Sequence, residues 1–313
     1  MVEDDCGGRP LKHKGLRDLV KHRYIYLMAL PALLFSLIFS YLPLAGIVMA
    51  FQDFHPIKGI FGSEFIGLRN FEFFFRGRDW FTVTFNTVFL NLLFIGFGTV
   101  LSITLAIMLS ELGKGLLVRG MQSIMILPNF ISWPIVGLFS VAFLTADSGT
   151  LDGLLDWLGI SDAYMEYSIW PAILLFFSLW KGAGFGAIVY LAAIAGIDKG
   201  LYEAAKIDGA SRLQCIFRIT LPMLKSTIIM LFLLALGGIF SGTLDMVYSL
   251  VGDNSFLFPT TDTIDTYVFR ALRTQGSFGM SQAVALYQSI IGFILVVLSN
   301  QLVKKFDKDS SIF

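Results

Sequence analysis

Cysteine and histidine are scarce, and net charge is absent. The 313-residue chain holds two cysteines and three histidines, and its 23 basic side chains balance 23 acidic ones. That balance excludes bulk attraction to nucleic acid. Cys6 and Cys215 stand far apart, and neither they nor His13, His22 and His55 have metal-ligand spacing. No Gly-x-x-x-x-Gly-Lys-Ser/Thr stretch occurs, so the chain lacks the loop that cradles the phosphates of ATP. No Gly-x-Ser-x-Gly elbow presents a nucleophile. Internal repeats, low-complexity tracts and a second soluble domain are missing as well. An enzyme in its own right is poorly supported.

Apolar runs are abundant. Hydrophobic residues make up 56% of the chain, more than a soluble domain needs. Six runs, about 24–51, 81–110, 121–146, 167–197, 226–244 and 280–303, approach or exceed the roughly 20 residues that cross a bilayer. The first is too long for the core of a cleaved signal and should remain as an anchor. The expected fold is all-α, a six-span polytopic membrane protein. It divides into a polar segment 1–23, a membrane domain 24–303 and a tail 304–313. Pro31 and Pro43 should kink the first span, and Pro128 and Pro134 should break the third. Between spans, residues 52–80 read as an aromatic-rich interfacial segment, 147–166 as an acidic loop, and 245–279 as loop with a short helix near Tyr267 to Leu272.

Orientation follows from Lys and Arg. Segments 1–23, 111–120, 198–225 and 304–313 hold six, two, five and three of them; the opposite segments hold four, none and two. The positive-inside rule then places both termini and segment 198–225 in the cytoplasm. Both cysteines fall on that side, which argues against a structural disulfide.

Segment 198–225 is polar and lies between two apolar spans. Glu203, Ala204 and Ala205 favour helix, and Gly209 permits a turn that a Cβ would resist. Ser211 is placed to cap a second short helix carrying Leu213, Ile216, Phe217 and Ile219. Pro222 stands where the next membrane helix begins. The product is a helix-turn-helix with an apolar face and a charged rim, suited to a partner's groove.

Glu203-Ala204-Ala205, three residues, Gly209, nine residues, then Ile219-x-Leu221-Pro222 resembles the EAA loop of permease subunits of binding-protein-dependent ABC importers. Tyr190-Leu191-Ala192-Ala193-Ile194-Ala195-Gly196-Ile197-Asp198 and Tyr202 resemble the sugar-importer branch, of the maltose-permease type. The chain is too short for the extra spans and the large insertion of the maltose permease itself. Phe51-Gln52-Asp53-Phe54, Gly59-Ile60-Phe61-Gly62 and Gly67-Leu68 with Asn70-Phe71 resemble the compact permeases paired with oligosaccharide or polysaccharide binding proteins.

The resemblance implies a type I ABC importer transmembrane domain in a bacterial cytoplasmic (inner) membrane. It implies a second, related permease subunit, two ATPase subunits, an extracytoplasmic solute-binding protein and a carbohydrate substrate, an oligosaccharide. The chain would bind no cofactor; ATP and Mg would be used by the partners. Glu203 would make a polar contact at the rim of the ATPase groove or cap its own helix. Ala204 and Ala205 would allow close approach, and Asp208 and Gly209 would lie at the turn. Leu213, Ile216 and Phe217 would hold the loop to the groove or to the membrane domain, with internal packing as the rival.

Lys181 is the one charge central to a span, within Trp180-Lys181-Gly182-Ala183-Gly184-Phe185-Gly186. An ionisable group there usually faces a cavity or a partner. It either lines the substrate route or pairs with backbone carbonyls or a partner's acid. Sugar sites join aromatic faces to a few hydrogen-bonding groups. The candidates are Asn129, Trp133, Phe176, Trp180, Tyr190, Tyr248, Tyr287 and Gln288; for each, ordinary packing is the rival. An ion-coupled secondary transporter would call for inverted repeats and intramembrane acids, and neither is visible. A membrane-embedded sensor or structural subunit would make the spacing at Glu203 a coincidence. Small polyols, sugar phosphates or amino acids are the alternative cargoes.

Overall fold

A computed structural model describes residues 23–77, 79–113, 115–145 and 164–306. The polar stretch 1–22 with Cys6, most of the acidic loop (Asp147, Asp152, Asp156, Asp162) and the tail from 307 lie outside the described residues. Among the described residues five helices are long and apolar enough to cross a membrane, and a bent pair of helices brings the number to six when counted as one span.

Helix α1 (Arg23–Phe51) starts as an α-helix carrying Pro31, passes through a π turn at Leu37–Tyr41 and tightens to a 3-10 helix over Leu42–Phe51. The register changes next to Pro43, whose missing N–H removes a rung. No residue of Arg23–Ser36 is buried. A two-residue ribbon follows, β1 (Gln52–Asp53) antiparallel to β2 (Glu64–Phe65), with Gln52 opposite Phe65. Helix α2 (Arg69–Arg76) is tied back to α1: the Asn70 amide donates to the carbonyls of Ala50 (2.9 Å) and Gln52 (3.0 Å).

The scaffold is α3 (Asp79–Glu111) packed along α6 (Trp170–Ala195). Glycine permits the contact: a Cβ on Gly186 would stand 2.5 Å from the Ser102 hydroxyl oxygen. Ser102 in turn donates to the Ala183 carbonyl at 3.2 Å. Between them in sequence, α4 (Leu116–Ile126, extended by a 3-10 turn to Phe130) meets α5 (Trp133–Leu144) at a 93° bend. The third span is therefore two arms at a right angle. Pro128 and Pro134 stand at the starts of the turn and the second arm, where a missing N–H costs least.

Beyond α6 come α7 (Lys199–Ile207) and α8 (Arg212–Gly237). The fifth span corrects the expected 226–244. It starts at Arg212, so the second loop helix and the membrane helix are one element, and it stops at Gly237 because turns fill 238–243. Segment 245–279 is also more helical than expected: α9 (Leu244–Val251), a single turn at Phe258–Thr261 and α10 (Ile264–Gln275) precede α11 (Phe278–Phe306). Asn254, Pro259 and Asp262 stand at the starts and stops of these helices rather than in open loop. One apolar cluster joins α3, α5, α6 and α9 through Leu90, Val136, Leu174 and Leu250. Another joins α2, α3, α10 and α11 through Phe74, Val83, Ile264 and Val284.

Candidate functional site

The loop between α6 and α8 is built by its caps. Asp198 starts α7 by accepting from the Gly200 N–H at 3.0 Å, so Asp198 and not Glu203 caps this helix. The far end is a Schellman closure: the Ala210 N–H reaches the Ala205 carbonyl (2.9 Å) and the Gly209 N–H the Lys206 carbonyl (3.1 Å). This requires Gly209 at φ +79°, left-handed backbone that glycine adopts without strain. Ser211 then forms a reciprocal box with Gln214, at 2.7 and 3.3 Å. The Tyr202 and Thr220 hydroxyls meet at 2.9 Å and clamp the two short helical stretches together.

This clamp decides which residues face outward. Cys215 and Thr220 are buried. Leu213 and Phe217 are each 66% exposed and Ile207 is 87% exposed, so neither Leu213 nor Phe217 packs the loop onto the membrane helices within this chain. Ile216 and Ala205 are half-buried, while Glu203, Ala204, Asp208 and Gly209 are exposed. Ala205, Asp208, Gly209, Gln214 and Arg218 line an open cleft of about 350 Å³. Ile207 was not singled out from the sequence, although its place one turn beyond Glu203 was a signal.

Inside the membrane domain, the structure brings Asn129, Trp133 and Lys181 together. The α4–α5 bend strips carbonyls of their helical partners. The Lys181 ammonium donates to two of them, Asn129 and Ile131, each at 2.7 Å. It also lies 5.3 Å from the centre of the Trp133 ring, a cation–π distance. The first arm, α4, approaches α6 closely because of Gly184, where a Cβ would sit 1.8 Å from the Met125 carbonyl oxygen. Beside this cluster Trp180 and Phe176 are exposed. Tyr190 is buried and borders a groove of about 280 Å³ with Thr99, Ser102, Ser178, Gly182 and Ala235.

The contacts of the remaining candidates lie elsewhere. Tyr248 packs on Phe269 (5.0 Å), and its hydroxyl takes a bond from Arg273, which also pairs with Asp253. Tyr287 stands among Phe74 and Phe75, its hydroxyl 3.1 Å from Thr84. Gln288 donates to the Phe240 carbonyl and, at 2.8 Å, to Asp265. A polar knot passed over in the sequence holds α10. Buried Asp262 accepts from Thr266 (2.8 Å) and pairs with Arg270 (2.5 Å), and Asn86 of α3 donates to the Asp262 carbonyl at 3.1 Å. The signal was partial: Thr266 and Arg270 stand four residues apart on one face of α10, and Asp262 precedes the helix at the same interval. Among the described residues no cluster could hold a metal.

Residues 98–308 match the family described as "Binding-protein-dependent transport system inner membrane component". The polygalacturonan/rhamnogalacturonan transport system permease protein YteP of Bacillus subtilis (strain 168) is 38% identical, over 94% of this chain and 92% of that protein. Protein LplB of the same organism is 37% identical over 93% and 92%. A chain of a solved bacterial alginate ABC transporter, in complex with an alginate pentasaccharide-bound periplasmic protein, superposes with a TM-score of 0.84. It is 30% identical, and the match covers 95% of this chain and 99% of that one. The sugar-permease resemblance of residues 190–222 is borne out, and the architecture is the type I ABC importer transmembrane fold. The chain belongs to the binding-protein-dependent transport system inner membrane component family, as one of its transport permeases.

Proposed function

We propose that the chain is the membrane-spanning half-pore of an ATP-driven importer that carries an oligosaccharide inward by alternating access. The observation that carries this reading is the loop at Glu203–Gly209. Its caps and the Tyr202–Thr220 clamp spend themselves on holding Leu213, Phe217 and Ile207 outward. A surface that exposes large apolar side chains beyond a membrane helix calls for a partner. The partners are two ATPase subunits, which use ATP and Mg, beside a second, related permease and an extracytoplasmic solute-binding protein. Both termini and the loop then face the cytoplasm of the cell, in agreement with the Lys and Arg distribution. The carbohydrate cargo rests on the relatives, whose names include polygalacturonan/rhamnogalacturonan, arabinooligosaccharides and trehalose/maltose.

In the mechanism, closure of the ATPases draws the docked loops together and the spans rock to open outward; hydrolysis resets them. ATP biases two conformations by the difference in free energy it supplies to each. Lys181 holds the bend of the third span in shape, and the exposed faces of Trp180 and Phe176 beside it supply aromatic surface to a passing sugar. The test is the intact mass of the particle purified gently from the native membrane. A second permease and two ATPase chains are expected. A stable particle without any ATPase would overturn the reading.

A further inference from the structure

Segments 52–77 and 245–279 share the face opposite the loop, and between them lies a polar pocket that none of the roles above uses. It has a volume of about 410 Å³, within the range of small-ligand sites. Helix α2 presents Arg69 and Phe73 into it, four residues apart and so on one helical face. Asp53 of β1, Ile66, Asn70, Gln275 at the end of α10, Ser277 of the turn that follows and Met280 of α11 complete its wall.

Arg69 is the unusual member. Of the described outer arginines, Arg76 pairs with Glu72, Arg270 with Asp262 and Arg273 with Asp253. Arg69 alone has no carboxylate partner among the described residues. A guanidinium fork matches a carboxylate with two parallel hydrogen bonds. Phe73 is 68% exposed and offers the flat apolar surface on which a pyranose ring packs. The Asn70 amide nitrogen is already spent on Ala50 and Gln52, which leaves its oxygen to accept. With Gln275, Ser277 and Asp53 it provides mixed donors and acceptors for hydroxyls. Asp53 in the same wall disfavours a dianion such as phosphate more than a single carboxylate.

We propose that this pocket is an outer subsite for a uronate unit of an acidic oligosaccharide. The inference rests on the carbohydrate-importer reading and adds the charge class of the cargo. A protein's acidic side chain would use Arg69 but has no need of Phe73 and a ring of hydroxyl partners.

The test uses the full-length chain, with the subunits that accompany it, in nanodiscs of neutral lipid. Trigalacturonate and its methyl ester are the probes. The acid should bind about tenfold or more tighter than the ester, the effect of one charged hydrogen-bonded pair. Arg69→Gln should erase that difference, and Phe73→Ala should weaken both probes. Arg76→Gln, outside the pocket, should change neither. If Arg69→Gln cannot be purified, Arg69→Lys serves: it keeps the charge, loses the fork and should bind the acid several-fold less tightly. Equal binding of acid and ester, or acid binding untouched at Arg69, overturns the subsite. ATP-driven uptake of oligosaccharides with no such discrimination would end the subsite and leave the importer standing. Uronate binding that depends on Arg69 without ATP-driven uptake of any saccharide would do the reverse.

Discussion

The Lys181 ammonium lies 2.7 Å from the carbonyl oxygens of both Asn129 and Ile131, so one side chain of α6 completes the hydrogen bonding of the bend between α4 and α5. Lys181→Met should therefore strand two carbonyls at a cost of about 1–3 kcal/mol each. Thermal unfolding in detergent should show a lower midpoint. An unchanged midpoint would mean that water replaces the ammonium and that Lys181 is free to serve the cargo.

Two glycines of the same helix should answer differently to the same change. Gly184→Ala drives a methyl into the Met125 carbonyl, whereas a Cβ on Gly182 meets nothing within 4 Å. Membrane abundance should collapse for Gly184→Ala and persist for Gly182→Ala. Equal abundance would show that α4 can move off α6 without loss.

At Gly209 the constraint is conformational. No neighbour lies within 4 Å of a Cβ there, yet φ is +79°. Gly209→Val should cost about 1–2 kcal/mol or more in backbone strain and, under the docking role, abolish transport while the protein still inserts. Gly209→Asn, which tolerates left-handed backbone, should retain much of it. Full uptake by Gly209→Val would count against the docking role.

Leu213→Asp and Phe217→Asp test the loop's outward face. Both side chains are mostly exposed, so stability should shift by less than about 0.5 kcal/mol. Association with the ATPase should be lost, read as ATPase chains missing from the purified particle. A fall in stability instead would place these residues in packing.

The Asp262 knot makes a pH prediction. Burial pushes the Asp262 carboxyl above its ordinary value of 3.8, and the hydrogen bond and charge of Arg270 offset this only in part. With the folded pKa above the unfolded one, the folded state holds the proton more tightly, so this group's contribution to stability falls as pH rises from about 4 through the raised value. Asp262→Asn should flatten that slope in thermal melts. Arg270→Met, by stranding the carboxylate, should cost about 3–5 kcal/mol and steepen it. A melt of Asp262→Asn with the wild-type slope would assign the slope to another group.

Much of the fold could be read from residues in advance. Six apolar runs placed the spans, and the spacing from Glu203 to Pro222 identified the loop, because turn and cap chemistry is local. What could not be read depended on distant parts of the chain. Pro128 and Pro134 announced a break, but neither its 93° angle nor the close seat of Met125 of α4 against Gly184 of α6 is written in the local sequence. The partners of Lys181 are main-chain carbonyls, which leave no mark on a residue pattern. Segment 245–279 looked like loop because Asn254, Pro259 and Asp262 bound its helices. Residue type offered Tyr287 and Gln288 as sugar contacts, but type does not reveal the neighbours they meet within the chain, Phe74 and Thr84 for one and Phe240 and Asp265 for the other.

The continuity of α8 has a mechanical meaning. Its 26 residues, at about 1.5 Å each, form a rod of roughly 39 Å that begins at the loop and ends at Gly237, with a π turn at Ile216–Thr220 as its one irregular joint. A tilt of ten degrees imposed at Arg212 displaces the far end by about 7 Å if the joint stays stiff, by the same helix geometry. If the joint yields, the displacement is absorbed within one turn of Pro222. The stiffness of five residues thus sets the gearing between the two faces of the membrane.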